Sequence, residues 1–208
     1  MDATYNLNGG FKPTTKRYAD LDGPDFYPTP DWATHALIEH EKFEGDIWEP
    51  ACGDGTMARV LETTGCPVYA SDLYDRGYGN GGVDFLQSDR FATNIVTNPP
   101  YNSAEAFVKI GLQSTTKKLA LLLRLAFLEG ANRQRTIFEP NPPSRVWVFS
   151  ERITFYPKGA VQKGSGTTAY AWFVWDKDSN GECQLCWFPP GIKRRHSADQ
   201  TANPMLFR

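Results

Sequence analysis

Short apolar runs alternate with segments of helical periodicity along most of the chain. Apolar runs bounded by glycine, proline or polar residues predict strands, and apolar positions three and four residues apart predict amphipathic helices. This alternation predicts an α/β fold, with an open, mostly parallel sheet and helices on both of its faces. The strands are predicted at 45–49, 67–72, 93–97, 118–127, 144–150, 168–175 and 183–188, and the helices at 32–41, at 56–63, from 103 and at 128–138.

The pattern predicts one domain, at residues 26–190, with a polar segment at each end. A chain of 208 residues is long enough for one sizeable core. Residues 1–25 are predicted to form a polar arm, residues 191–208 a basic tail, and the glycine-rich stretch 75–82 a loop in place of a helix. No run of about 18 apolar residues and no signal-peptide pattern is present, so we expect a cytoplasmic protein.

Charge is divided unevenly between the two halves of the chain. Residues 1–100 carry 16 acidic and 7 basic side chains, whereas residues 101–208 carry 8 acidic and 15 basic ones. A strongly basic half within a mildly acidic protein indicates a surface that faces a polyanion.

The four cysteines do not predict a metal centre. Cys183 and Cys186 have ligand spacing, but no second such pair exists to complete a four-ligand zinc site. The segment 183–188 also alternates like a strand, which would place these two side chains on opposite faces. We therefore expect reduced, structural thiols and no metal.

The segment Asn98-Pro99-Pro100-Tyr101 follows a predicted strand and has a specific chemical use. The two prolines fix the backbone and carry no N–H group. The Asn98 side-chain oxygen and a nearby carbonyl can then accept both hydrogens of one –NH2 group, and Tyr101 offers a flat face for stacking. The motif therefore predicts a cradle for an exocyclic amine on a ring, or for an amide.

A glycine loop and two acidic residues predict a nucleoside-binding crevice beside this cradle. Gly53 and Gly55 follow the first predicted strand, where they allow a ligand to approach the backbone and the next helix N-terminus. Asp72 ends the second strand about 20 residues later, where a ribose diol would be bound. Asp84 and Phe85 could hydrogen-bond and pack against an adenine, although a turn aspartate and a core phenylalanine would look the same. All of these positions fall at strand carboxyl ends, which share one edge of a parallel sheet.

Residues 26–176 resemble the amino-methyltransferases that use S-adenosylmethionine, in particular the small DNA adenine-N6 methyltransferases of phages and prophages. The resemblance implies a Rossmann-like class I methyltransferase fold, whose mostly parallel seven-stranded sheet has an antiparallel last strand at 168–176. The motifs that carry it are Phe26-Tyr27-Pro28-Thr29-Pro30, Trp48-Glu49-Pro50-Ala51-Cys52-Gly53-Asp54-Gly55, Asp72, Asp84-Phe85 and Asn98-Pro99-Pro100-Tyr101.

The resemblance also implies roles for these residues. Asn98, Pro99, Pro100 and Tyr101 would be catalytic, with no metal and no covalent enzyme intermediate. Glu49 and Asp54 would lie near the methionine end of the cofactor, with Thr29 or Tyr27 closing over it. The expected cofactor-binding set is Tyr27, Thr29, Glu49, Ala51, Gly53, Asp54, Gly55, Asp72, Asp84, Phe85 and Asn98.

The expected reaction is methylation of adenine N6 in DNA, with the target base outside its duplex or already single-stranded. Sequence-specific relatives carry a target-recognition domain, but only about 26 residues separate Asp72 from Asn98, and about 32 follow Asp176. We therefore expect low or very short sequence specificity, in the cytoplasm of a bacterial host if a phage or prophage encodes the chain. Phosphate contacts are expected from Arg133, Arg135, Lys158, Lys163, Lys193, Arg194 and Arg195.

Three other readings remain open from the sequence. The same cradle serves RNA adenine methyltransferases, and no motif here reads or excludes a 2′-hydroxyl. The cradle also serves protein glutamine N5 methyltransferases. Those enzymes usually carry an N-terminal helical domain, which is not predicted here, and their glycine motif differs from the one in this chain. A non-catalytic nucleic-acid-binding module with the same fold would not need the intact glycine loop, Asp72 or Asn98.

Overall fold

The computed structural model describes residues 27–156 and 166–196, which form a seven-stranded sheet in the order β2-β1-β3-β4-β6-β5-β7. The strands are β1 (Ile47–Glu49), β2 (Val68–Ala70), β3 (Ala92–Thr97), β4 (Thr115–Arg124), β5 (Arg145–Phe149), β6 (Tyr170–Asp176) and β7 (Gln184–Phe188). The helices are α1 (Asp31–His40), α2 (Thr56–Glu62), α3 (Ala104–Ser114), α4 (Ala131–Arg133) and α5 (Ile192–His196).

The sheet is parallel except for β6, which confirms the predicted class of fold. β2, β1, β3 and β4 are joined in parallel, β6 is antiparallel to both β4 and β5, and β5 and β7 are parallel. The inverted strand is the one predicted at 168–176, although it is the sixth of the seven along the chain and not the last. β7 follows it and pairs with β5, because β4 and β5 already take both edges of β6.

The continuous apolar sequence of β6 explains why it lies inside the sheet. Tyr170, Trp172 and Val174 enter the core on the face covered by α1, α2 and α5. Ala171, Phe173 and Trp175 enter the core on the face covered by α3. A strand that is apolar on both sides can be satisfied only between two helical layers, and this confirms the prediction of helices on both faces.

Several predicted elements have different bounds in the structure. β4 ends at Arg124, and a 3-10 turn at Leu125–Leu128 follows it, so the apolar pattern up to residue 127 overestimated the strand. The amphipathic stretch at 128–138 is the short helix α4 followed by a π-helical turn at Gln134–Phe138. The predicted loop at 75–82 does replace a helix, and a bridge between Ser71 and Asn80 closes it.

The predicted basic tail begins with an ordered helix. Ile192 in α5 is buried in the core against α1. The His196 ring stacks on that of His35 with centroids 4.9 Å apart, and His196 Nε2 lies 2.8 Å from Oε1 of Glu39. The apolar signal for this packing is one residue, Ile192, which is too little to predict a helix from periodicity.

A network of charged side chains links β4, β5 and β6 at one edge of the sheet. This edge is opposite to the carboxyl ends of β1, β2 and β3. Glu41 is buried and accepts hydrogen bonds from Arg145, from Trp147 Nε1 at 2.9 Å and from Lys118 Nζ at 2.9 Å. Arg145 Nη2 also donates to Asp176 Oδ2 at 2.7 Å. Two acids and two bases thus balance their charges inside the fold.

Within the described residues, no helix is both long enough and apolar enough to cross a membrane.

Candidate functional site

The glycine loop joins β1 to α2 at the carboxyl end of the sheet. Gly53 and Gly55 have φ values of 56° and 80°, which L side chains rarely adopt. A Cβ atom added at Gly55 would also lie 2.3 Å from the ring of Tyr78, which comes from the loop after β2. The glycines therefore serve two needs here, a left-handed backbone and the close approach of a second loop.

Asp72 lies at the tip of β2 and holds the glycine loop in place. Its Oδ2 accepts a hydrogen bond from the Gly53 N–H at 2.8 Å, and its Oδ1 accepts one from the Tyr74 N–H at 2.9 Å. Two positions that the sequence singled out separately, Gly53 and Asp72, are thus in direct contact. Leu73 and Tyr74, beside Asp72, are large apolar side chains exposed by 50% and 44%, and the sequence analysis did not single them out.

Glu49 ends β1 beneath this loop and is 2% exposed. Its Oε2 atom is buried and has no hydrogen-bond partner in the described structure. Burial raises the pKa of Glu49 well above its ordinary value, and the nearby charges of Asp72 and Asp54 raise it further. A buried carboxyl oxygen without a donor is costly, so Glu49 is suited to receive a donor or a cation from a ligand.

Asn98 follows β3 and presents a second unpartnered oxygen. Its Nδ2 donates to Thr29 Oγ1 at 3.0 Å, and Thr29 is buried just before α1. Its Oδ1 is buried, and none of the described residues donates a hydrogen bond to it. The contact with Thr29 fixes the amide, so the structure leaves the Asn98 oxygen free to accept from a ligand. Pro99 next to it is buried, and Pro100 is exposed.

The Tyr101 ring lies in a group of aromatic and cationic side chains. Its centroid is 5.9 Å from that of Tyr170, and the Tyr170 ring is 4.9 Å from that of Phe155. The Cζ atom of Arg124 lies 4.4 Å from the Tyr101 centroid. Burial raises the pKa of the Tyr101 hydroxyl, and the neighbouring Tyr170 raises it further, so Tyr101 stays protonated.

The sequence analysis did not assign Phe155, Tyr170 and Arg124 to this site. Arg124 pairs with Tyr170 across β4 and β6, a register that no local pattern predicts. The detectable signal was an arginine within an apolar run, at the end of a strand.

Asp84 and Phe85 have structural contacts of their own. Asp84 caps a 3-10 turn, accepting from the Leu86 N–H at 2.9 Å. Phe85 is buried between Trp48 and Phe107, with ring centroids 5.1 and 4.7 Å away. The structure thus gives Phe85 the core position that the sequence left as the alternative, and a contact of Asp84 with adenine stays a prediction.

The remaining expected cofactor residues are placed around the same loop. Asp54 Oδ1 accepts from the backbone N–H and the hydroxyl of Thr56, at 3.2 and 2.6 Å, and so caps the start of α2. Ala51 is partly buried in the loop, and Tyr27 is partly buried at the start of the described chain.

The predicted phosphate-binding residues differ in their contacts within the chain. Arg133 donates to the Phe127 carbonyl and pairs with Glu105 at 3.2 Å, and Arg195 pairs with Glu39 at 3.2 Å. Arg133 and Arg195 are thus engaged within the chain, and a contact of either residue with phosphate stays a prediction. Lys158 and Lys163 lie outside the described residues. The exposed members of the set are Arg135, Lys193, Arg194 and Arg195.

Cys52, in the glycine loop, is a buried thiol. The four cysteines are free thiols, and Cys52 donates to the Tyr78 carbonyl with a separation of 3.6 Å. Burial raises the pKa of Cys52 to about 12, aided by Glu49 and Asp72, which makes it a poor nucleophile. Across residues 27–156 and 166–196, no three potential metal ligands are grouped together.

Solved structures with similar architecture include proteins described as methyltransferases. A proposed RNA methyltransferase from Pyrococcus horikoshii has a TM-score of 0.53 and 11% identity, over 74% of this chain and 90% of that one. The modification subunit of a proposed type I restriction enzyme from Vibrio vulnificus YJ016 has a TM-score of 0.55 and 13% identity, over 80% of this chain and 48% of the subunit. A predicted O-methyltransferase from Agrobacterium tumefaciens has a TM-score of 0.52 and 11% identity, over 79% of this chain and 95% of that one.

This likeness defines the fold, which is the Rossmann-like fold of class I methyltransferases. This chain covers about half of the Vibrio subunit. No protein-family model and no curated protein matches the chain.

Proposed function

We propose that the protein transfers a methyl group from S-adenosylmethionine to the N6 amine of adenine in DNA, with low or very short sequence specificity. The observation that carries this proposal is the buried, unpartnered Oδ1 of Asn98, next to the aromatic ring of Tyr101. An acceptor with no donor, beside a stacking face, fits a planar group that carries an –NH2. The basic second half of the chain favours a nucleic acid as the carrier of that amine.

The residues at the ends of β1 and β2 fit the cofactor. The unpartnered Glu49 oxygen would accept a hydrogen bond from the ammonium group of S-adenosylmethionine. This contact would favour the ionised form of the Glu49 carboxylate. Asp72 would accept from the ribose hydroxyls, and exposed Leu73 and Tyr74 would lie beside the adenine ring. When bound, the cofactor supplies an electrophilic sulfonium methyl.

Catalysis would rest on how the chain holds the amine. The nitrogen lone pair of adenine N6 is delocalised into the ring, so the amine is a weak nucleophile. Asn98 Oδ1 and the Pro99 carbonyl would accept its two hydrogens and draw the nitrogen toward tetrahedral geometry, which localises the lone pair. Asn98 can do this without reorganising, because its Nδ2 is already held by Thr29.

The test is a methyl-transfer assay with labelled cofactor on duplex DNA, single-stranded DNA, RNA and protein. Asn98→Ala should lower the rate on DNA by at least 100-fold. Asn102→Ala is the matched control, because Asn102 is exposed in the same turn and bonds only to the neighbouring Ser103 at 3.3 Å. Full activity in Asn98→Ala would refute the catalytic assignment. Transfer confined to RNA or to protein would refute DNA as the substrate.

The sequence specificity is tested separately, on randomised duplexes read by sequencing. Only about 26 residues separate Asp72 from Asn98, too few for a target-recognition domain between them, so methylated adenines should share at most a short context. A strict recognition site longer than about 4 base pairs would contradict this part of the proposal.

A further inference from the structure

Arg124 stands at the carboxyl end of β4, at the edge where the amine cradle lies. β4 runs parallel to β3 and beside it, with Leu121 opposite Thr97, so Arg124 is close to the turn that follows β3. On its other side it pairs with Tyr170, the first residue of β6. Its guanidinium then lies over the Tyr101 ring, 4.4 Å from the centroid.

Arg124 differs from the arginines that stabilise the fold. Arg145 is held by Glu41 and Asp176, and Arg133 by Glu105 and two carbonyls. Within the described structure, no hydrogen bond or ion pair engages the Arg124 side chain, and Arg124 is exposed. Its charge is therefore available to a ligand, and its recorded contact is the face of one aromatic ring.

We propose that Arg124 is a nucleotide-binding residue that exchanges one partner for another. In the free protein its planar guanidinium covers the face of Tyr101. When the target base takes that face, the guanidinium moves to the phosphate of the same nucleotide. This inference rests on the proposed function, since it needs a base to arrive at Tyr101.

The exchange follows from the chemistry of the two groups. A guanidinium and a nucleobase are both flat and both stack on aromatic rings, so they compete for one face. A cation–π contact made by an exposed arginine is weak, and base stacking is the stronger contact. The displaced side chain stays tethered to the strand end, within reach of the nucleotide backbone. Its fork of donors matches two phosphate oxygens.

Two substitutions separate the stacking role from the charged role. Arg124→Gln keeps a planar polar group for Tyr101 but removes the charge, and Arg124→Lys keeps the charge but removes the planar group. Arg90→Ala is the control. Arg90 also lies over a tyrosine, with Cζ 4.0 Å from the Tyr69 ring, but it precedes β3 at the other end of the sheet.

The measurement is binding to fluorescent DNA across a salt series, alongside KM and kcat for methyl transfer. For Arg124→Gln we expect a KM for DNA about tenfold higher, a kcat within about twofold, and a salt slope shallower by about 0.9 for duplex or 0.7 for single-stranded DNA. Arg124→Lys should restore the slope, and Arg90→Ala should resemble the unmodified protein.

Two results would overturn the inference. The first is an unchanged salt slope in Arg124→Gln. The second is a loss confined to kcat in both Arg124 variants, which would mean that Arg124 only supports Tyr101. The DNA-binding measurement does not depend on methyl transfer. An unmodified protein that binds DNA without methylating adenine would therefore refute the proposed function, and the salt slope would still decide the role of Arg124.

Discussion

The backbone N–H of Gly53 donates a 2.8 Å hydrogen bond to the carboxylate of Asp72, across 19 positions of the chain. This bond fixes the glycine loop after β1 to the tip of β2. Both partners belong to the chain, so the bond holds the two parts of the expected cofactor site in register. A site arranged before binding loses less conformational freedom when the ligand arrives.

Asp72→Ala should therefore weaken S-adenosylmethionine binding by at least tenfold, because it removes a ligand group and leaves the Gly53 N–H without a partner. Isothermal titration calorimetry measures this directly. Asp75→Ala is the control, since Asp75 is exposed in the same loop and accepts from the Gly77 N–H at 3.0 Å. Equal affinities for the two variants would show that Asp72 does not bind the cofactor.

Glu49→Gln should make the free protein more stable and the cofactor complex weaker. Because burial raises the pKa of Glu49, its stabilising contribution is complete below the unfolded pKa and is lost as the pH rises through the folded one. The free energy of unfolding of Glu49→Gln should therefore exceed that of the unmodified protein by a margin that grows with pH, to about 1–3 kcal/mol. Thermal unfolding between pH 5 and pH 8 measures the stability of the free protein. The same series with cofactor measures how much the complex is weakened. A margin that stays constant with pH would be evidence against a protonated Glu49.

The Glu41 network predicts the opposite dependence at low pH. Burial alone would raise the pKa of Glu41, but hydrogen bonds from Arg145 and Trp147 outweigh it and hold that pKa below its usual value. The pKa of Asp176 is lowered as well: burial opposes this shift, and the bond from Arg145 outweighs it. Their contribution is present above the unfolded pKa values and is lost as the pH falls through the lowered folded ones.

Glu41→Gln should therefore cost about 3 kcal/mol near neutral pH, because it leaves Arg145 and Lys118 short of one charge. The cost should shrink in acid, which urea unfolding at pH 7 and pH 3.5 would measure. Glu44→Gln serves as the control. The Glu44 side chain is 80% exposed and pairs with Lys117 at the surface, so its loss should not change stability measurably.

Gly55→Ala should destabilise the protein for two separable reasons. The φ of 80° is unfavourable for alanine, and its Cβ would meet the Tyr78 ring at 2.3 Å. We expect a loss of about 2–4 kcal/mol, part of which Tyr78→Ala should recover in the double variant by removing the clash. Strictly additive effects in urea unfolding would mean that Tyr78 does not restrict residue 55.

The sequence predicted the fold well where one local pattern dictates one element. The continuous apolar run of β6 and the glycines of the β1–α2 loop are such cases. Prediction from the sequence failed where the structure depends on which strands pair and in which register. No local signal places Arg124 opposite Tyr170, or joins β7 to β5 and not to β6, because register depends on which strand edges other strands have already taken.

The candidate site divides in the same way. Asn98, Asp72 and Glu49 were predicted from their motifs, and the structure places each at a strand end, with an unpartnered oxygen at Asn98 and at Glu49. Phe155, Tyr170 and Arg124 were missed, since each reaches the site through the inverted strand or its neighbour. Arg133 and Arg195 were assigned by charge alone, and charge does not reveal that a carboxylate nearby already holds the arginine.

Because β6 runs against its neighbours, it delivers its first residue, and not its last, to the crevice. The methyl donor is expected at the ends of β1 and β2, and the proposed amine substrate beside the ends of β4 and β6, with Asn98 on the boundary. The residues around the methyl donor and those around the proposed amine can therefore be substituted independently. Substitutions at Tyr170 and Arg124 offer a route to enzymes that accept a different amine while keeping the same methyl donor.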